Sequence, residues 1–322
     1  GDCYNPGELD WALPKDSLKH FNTILEETKE DLNNLSNFLK KSNIKVYRPN
    51  VVQHHKDYQM PNFSVKVPIC PIVPGDQYLI LDEKIIQTYT SYTDRYFDSL
   101  SFNNIFLELF QQGYDWVSMP PPMLKTLKDN ENWFTNNNIY TEKLKDQILW
   151  HTATMFKAGD TLIVNTKGPG SQLGLQWIKN QLPDFKVIEN KNTWTDNYGH
   201  IDHGFILIDD DTVINAGDEW VPDCLKSKKQ INIKRFLPPF DVFEDYKLRF
   251  KEKDGQFSKG WVEEYFNNWR GYDQKCCFDL NVLILDSKNI MFGREIPELF
   301  KFLKTHGIES HVIPQRHILF WE

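Results

Sequence analysis

A chain of 322 residues is long enough to bury a large core, and 40% hydrophobic with 14% aromatic content is ordinary globular composition. Lys+Arg 37 against Asp+Glu 45 leaves a net charge of -8, and no cluster of Lys and Arg resembles a phosphate-tracking stripe, which argues against a nucleic-acid partner. No uncharged apolar stretch approaches the roughly 20 residues a membrane helix needs, and no basic-then-apolar leader opens the chain, so a soluble, cytoplasmic protein is expected.

The first legible element is "SLKHFNTILEETKEDLNNLSNFLKKSNIKVYRP". It predicts a helix with Phe21, Leu25, Leu32, Leu35 and Leu39 on one stripe, acids early and lysines late as the helix dipole prefers. A short strand from Ile44 to Tyr47 is expected to follow and to stop at Pro49. Four later segments share one pattern: "DQYLILDEKIIQT" from Asp76, "GDTLIVNTKGPG" from Gly159, "HGFILIDDDTVIN" from His203 and "LNVLILDSKNIMF" from Leu280. Each reads as an apolar strand, a polar turn and usually a second strand, that is, a hairpin. Three are followed by a helix and another strand, in "NIFLELFQQGYDWVSM", "SQLGLQWIKNQLPDFKVIE" and "IPELFKFLKTHGIESHVIP". The repeated unit is strand, strand, helix, strand, and the opening segment supplies the helix and strand of a fifth, whose hairpin would lie upstream of Gly1. Such repetition suggests an array closed around a shared core; the irregular spacing leaves an open α/β sheet with insertions as the alternative.

The densest chemistry lies in "GHIDHGF" at 199–205. Read as a strand, it sends His200 and Asp202 to one face and His203, expected to be structural, to the other. A metal site is the rival reading, but it needs more ligands, and only His54, His55 and His151 are candidates, so neither metal nor cofactor is expected. Five cysteines (Cys3, Cys70, Cys224, Cys276 and Cys277), odd in number and without CxxC spacing, suggest neither a disulfide framework nor a zinc ribbon. Asp76 after Pro-Gly reads as a turn residue, Asp209-Asp210-Asp211 as a hairpin turn, and "TKGPGSQLG" from Thr166 as a turn leading into a helix N-terminus.

In order and spacing, "VPGDQYLILDEKII", "FKAGDTLIV", "SQLGLQWIKNQL", "HIDHGF" and "LNVLILDSKNIMF" resemble the glycine amidinotransferase family of the guanidine-modifying superfamily, along nearly the whole chain. The strongest element is His200-Ile201-Asp202 with Phe205. The resemblance implies one domain over 1–322, a five-unit α/β propeller incomplete at both ends: it lacks the first hairpin and a C-terminal nucleophile loop. It implies that a cysteine thiolate attacks a guanidinium carbon, His200 protonates the departing amine and deprotonates the incoming one, and Asp76 and Asp202 hold the planar cation. The implied partners are a small guanidino donor, arginine or a relative, and a primary-amine acceptor, with a homodimer left open. Hydrolysis of the arginine deiminase type, and binding without reaction, are the alternatives.

Several positions depart from the family pattern. Pro74-Gly75-Asp76 stands where the family has Pro-Arg-Asp, and His151 stands at an aspartate that would back the catalytic histidine. Glu219 occupies the place of an arginine for the substrate carboxylate, which would favour a donor or acceptor unlike arginine and glycine, and Asp279 that of a small hydroxyl residue before Asn281, adding negative charge near the site. None of the five cysteines takes the nucleophile's place, which is expected in a Gly-rich His-Cys loop within roughly ten residues beyond Glu322.

Overall fold

Short runs rich in Ile, Leu and Val, broken by two or more turn residues, fold back on themselves four times along the chain. In a computed structural model of the protein, the described residues are 18–51, 58–59, 64–65, 74–90, 95–122, 146–166, 170–190, 200–236 and 280–316. Helix α1 spans Leu18–Lys41, and β1 (Tyr58–Gln59) pairs with β2 (Ser64–Val65) in a minimal two-stranded ladder. Four three-stranded sheets follow. In the first, β3 (Tyr78–Leu81) pairs antiparallel with β4 (Lys84–Gln87), the chain crosses over through α2 (Ser99–Gln111), and β5 (Asp115–Ser118) returns parallel to β4. The second repeats this with β6 (Met155–Ala158), β7 (Thr161–Asn165), α3 (Gln172–Gln181) and β8 (Lys186–Asn190). In the third, β9 (Phe205–Leu207), β10 (Thr212–Asn215) and β11 (Lys229–Asn232) keep the same pairing. The fourth comprises β12 (Leu283–Asp286), β13 (Asn289–Phe292), α4 (Pro297–Thr305) and β14 (Glu309–Val312).

The α/β class and the strand, strand, helix, strand order thus hold in three sheets, while two short 3-10 turns, Asp218–Trp220 and Asp223–Leu225, make the crossover in the third. Two expected boundaries shift. The second hairpin begins at Met155, not Gly159: Gly159 is the turn itself, at φ 62°, a left-handed conformation glycine adopts without penalty. Ile44 to Tyr47 forms no ladder among the described residues. A strand needs a sheet edge, and this segment lies along α2 instead, where Lys45 pairs with Glu108 at 2.7 Å and the Asn50 N–H donates to the Ser101 carbonyl at 2.8 Å.

The middle strands carry unbroken apolar runs because both their faces are covered. Leu81 and Ile86 of the first sheet share a core with Leu162 and Val164 of the second. Ile163 meets Phe205 and Val213 of the third, whose Ile206 and Ile214 meet Ile290 and Phe292 of the fourth. From the fourth sheet, contact passes to α1: the Arg316 Nε donates to Asp31 Oδ1 at 2.9 Å, and the rings of Phe38 and His311 lie 5.2 Å apart. This corrects the expected apolar stripe, since Leu32 is exposed and Asp31 is buried in its stead, drawn inward by the Arg316 guanidinium. Among the described residues, no helix is long and apolar enough to cross a membrane.

The turn expected in "TKGPGSQLG" ends in a capped helix: the Gly174 N–H donates to the Ser171 side chain at 2.9 Å. Gly174 is small for a reason, because a Cβ there would lie 2.0 Å from the backbone oxygen of Leu149. Gly174→Ala is therefore expected to lower stability by about 1–3 kcal/mol, read as a reduced urea midpoint with unchanged slope. It would also displace the strand approach that ends in His151.

Candidate active site

In each sheet the first strand runs opposite to the other two, so its beginning and their ends share one edge. Asp76 precedes β3, His151 precedes β6, and His200 and Asp202 precede β9, so three consecutive sheets deliver their polar approaches to that edge. Hydrogen bonds stitch the approaches together: the Thr152 hydroxyl donates to the Gly75 carbonyl, and the Ile201 N–H donates to the Ala153 carbonyl at 3.0 Å.

The result is a row of groups in contact. His151 Nε2 lies 3.7 Å from Asp76 Oδ2, the His151 and His200 rings are 5.0 Å apart and inclined by 32°, and the His200 and His203 rings are 5.1 Å apart at 71°. Asp76, His151 and His203 are buried, while His200 and Asp202 are half-buried. The expected pairing of His151 with His200 is therefore a ring contact, with Asp76 behind it.

Residues 201–204 form a turn, with the Gly204 N–H donating to the Ile201 carbonyl at 3.1 Å, and the strand begins only at Phe205. This overturns the placement of His203 on an opposite strand face: strand alternation does not apply in a turn, and the His203 ring sits beside His200. The objection to metal binding built on that alternation falls with it. Asp76, His151 and His200 form one group, and His200, Asp202 and His203 another, whose ligand atoms all lie within 4.8 Å of one another.

Sequence reasoning missed Arg95. Its Nη1 pairs with Asp76 Oδ2, its Nε donates to Asp98 Oδ2 at 3.0 Å, and Gln77 Nε2 donates to its carbonyl at 2.8 Å. Burial pushes the Asp76 carboxyl pKa up, but interaction with His151, the Arg95 cation and His200 outweighs it and holds the group below the usual carboxylate range. Burial likewise works against the Arg95 cation, and Asp76 and Asp98 overcome it, leaving the guanidinium more firmly protonated than usual. One oxygen of the expected substrate anchor is thus held by the protein's own guanidinium, next to the side-chain-free Gly75. The available signal was the spacing of Arg95 and Asp98 in "DRYFD", an i, i+3 ion pair among aromatics.

Glu219 lies on the same edge, past the end of β10, exposed, with its carboxylate against Gly217, where a Cβ would meet Oε1 at 2.5 Å. Asp279 lies outside the described residues, as do Cys3, Cys70, Cys276 and Cys277. Cys224 is described: it is exposed, burial of part of its side chain pushes the thiol pKa up, and it feels Lys186 and Lys228, which stand at the starts of β8 and β11. That is the opposite sheet edge from His200.

No protein-family model matches the chain. Among curated proteins, the chain is 22% identical over 323 residues to mitochondrial glycine amidinotransferase of Gallus gallus, covering 95% of this chain and 67% of that protein. It is 25% identical over 214 residues to inosamine-phosphate amidinotransferase 1 of Streptomyces griseus, covering 65% of this chain and 59% of the relative. Among solved structures, an amidinotransferase from Microseira wollei in the saxitoxin biosynthetic pathway superposes with a TM-score of 0.66 at 19% identity, over 91% of this chain and 78% of that one. The inosamine-phosphate amidinotransferase of Streptomyces griseus gives 0.66 at 20%, over 91% and 76%. Sequence relatives and fold neighbours agree, and the kinship they support for this chain is with the amidinotransferases.

Proposed function

We propose that the chain carries the proton-transfer and cation-binding half of an amidino-transfer site, taking the amidino group from arginine or a related guanidine to a primary amine. The observation that carries this reading is His200, set between the His151 ring and the Asp202 turn where three sheets meet. A thiolate attacks the guanidinium carbon, and the C–N bond to the leaving amine breaks as His200 gives that amine a proton. The amidino group then rests on sulfur until an acceptor amine, losing a proton to His200, displaces the thiolate. Asp202, half-buried beside His200, offers the negative edge a planar cation needs. Asp76 supports the charge that builds on His200 through the intervening His151.

Cys224 is unsuited to the attack, being at the other sheet edge with a thiol pKa moved in the wrong direction. We infer, from the resemblance to the amidinotransferases alone, that the sulfur comes from a cysteine outside the described residues. The architecture we infer is the five-unit propeller, with α1 in the place of the fifth unit. The contacts running from each sheet to the next, from α1 to the last sheet and the residue just past it, and from the segment after α1 to α2, support it.

The test is to incubate the full-length gene product with arginine labelled at the guanidino carbon and a panel of primary amines. Label recovered on an amine is the expected result. Label recovered only in citrulline or urea would assign hydrolysis instead, and unreacted arginine that nonetheless binds would reduce the protein to a guanidino-compound binder.

A further inference from the structure

We propose that the turn ahead of β9 is a binding site for a zinc-like divalent ion, with His200, Asp202 and His203 as ligands. The proposal goes beyond amidino transfer: metal binding does not depend on it, and only the effect of the ion on transfer rests on the role proposed for His200. Three observations support the site. The two imidazoles and the carboxylate offer ligand atoms within 4.8 Å of one another. Asp202 Oδ1 is buried and accepts no hydrogen bond among the described residues, so a lone pair is left facing inward without a donor. The turn is also built: Ile201 is buried, Gly204 donates to the Ile201 carbonyl at 3.1 Å, and Ala216 donates to the Gly204 carbonyl at 2.9 Å, fixing the backbone that carries all three ligands.

Tetrahedral ligands at about 2.0–2.2 Å from a shared zinc lie roughly 3.5 Å apart, inside the 4.8 Å that bounds the three ligand atoms here. Two imidazoles and one carboxylate suit zinc or cobalt, whereas calcium and magnesium prefer all-oxygen shells. Three protein ligands leave a fourth position for water. The neighbouring group of Asp76, His151 and His200 is the poorer choice, because the Arg95 guanidinium already sits on Asp76 and would repel a second cation. A bound ion takes the lone pair on His200 that proton transfer uses, so metal occupancy and amidino transfer exclude each other, and chelation would raise the rate of transfer.

The test is titration of the metal-free protein with zinc by calorimetry and with cobalt by visible absorption. One equivalent is expected to bind, with cobalt bands lacking the near-ultraviolet charge transfer of thiolate ligation. Asp202→Asn and His203→Gln are each expected to weaken binding by more than about 100-fold, the upper end of what losing a supporting group costs, while His151→Gln leaves it unchanged. In case a variant fails to fold, the wild-type imidazole NMR signals provide a separate reading: zinc should move those of His200 and His203 most. No stoichiometric binding, thiolate bands, binding unmoved by Asp202→Asn, or binding lost with His151→Gln would each overturn the proposal.

Discussion

Arg95→Met is expected to lower the free energy of unfolding by about 3–5 kcal/mol at neutral pH, measured by urea denaturation. Methionine fills much the same volume, but Asp76 and Asp98, with side chains 12% and 2% exposed, would be left as buried carboxylates without their cation. The loss comes from those stranded charges, so adding Asp76→Asn and Asp98→Asn to the variant should recover most of it. Acid provides a second reading. In the wild type the folded Asp76 pKa lies below its unfolded value, so its stabilisation is complete above the unfolded pKa and fades as pH falls through the folded one. In the Arg95 variant burial is opposed by the imidazoles alone and should carry the carboxyl pKa upward. Protonation then relieves the variant, and its stability gap to wild type should narrow on acidification from neutral pH toward about pH 4.

Substitution of His200 by Asn is expected to cut amidino transfer by the full worth of a general acid-base group, about 10²–10⁴-fold, in the labelled-arginine assay. Asn retains a polar amide in a half-buried turn but can neither carry nor give up a proton near neutrality. The unfolding midpoint should move little, because the turn is held by backbone bonds of Ile201 and Gly204 rather than by the imidazole. A variant that kept wild-type turnover would remove His200 from the chemistry.

The hairpins were legible because apolar runs bounded by turn residues have few other ways to fold, and "DEK", "DDD" and "DSK" turn where expected. The gathering of Asp76, His151 and His200 came only from resemblance. Their sequence separations contain nothing local, and it is the Thr152 and Ile201 hydrogen bonds that bring them together. Strand alternation failed at His203 because periodicity describes a regular element, and the chain enters β9 through a turn. For Arg95 the local spacing to Asp98 signalled an ion pair but not a place in the site, since that comes from Asp76, 19 residues away.

The grip of Arg316 on α1 also bears on how the chain folds. Asp31 and Arg316 are 285 residues apart, and the guanidinium also reaches Glu30 at 2.7 Å and the Glu27 carbonyl at 3.0 Å. During synthesis α1 emerges long before Arg316, so closure of a loop of 285 residues must precede that contact. Until then the half-buried side of α1, with Leu35, Phe38 and Leu39, remains open to wrong partners. High contact order of this kind predicts slow, late docking of α1 and a nascent chain that needs a chaperone most just before β14 and Arg316 arrive.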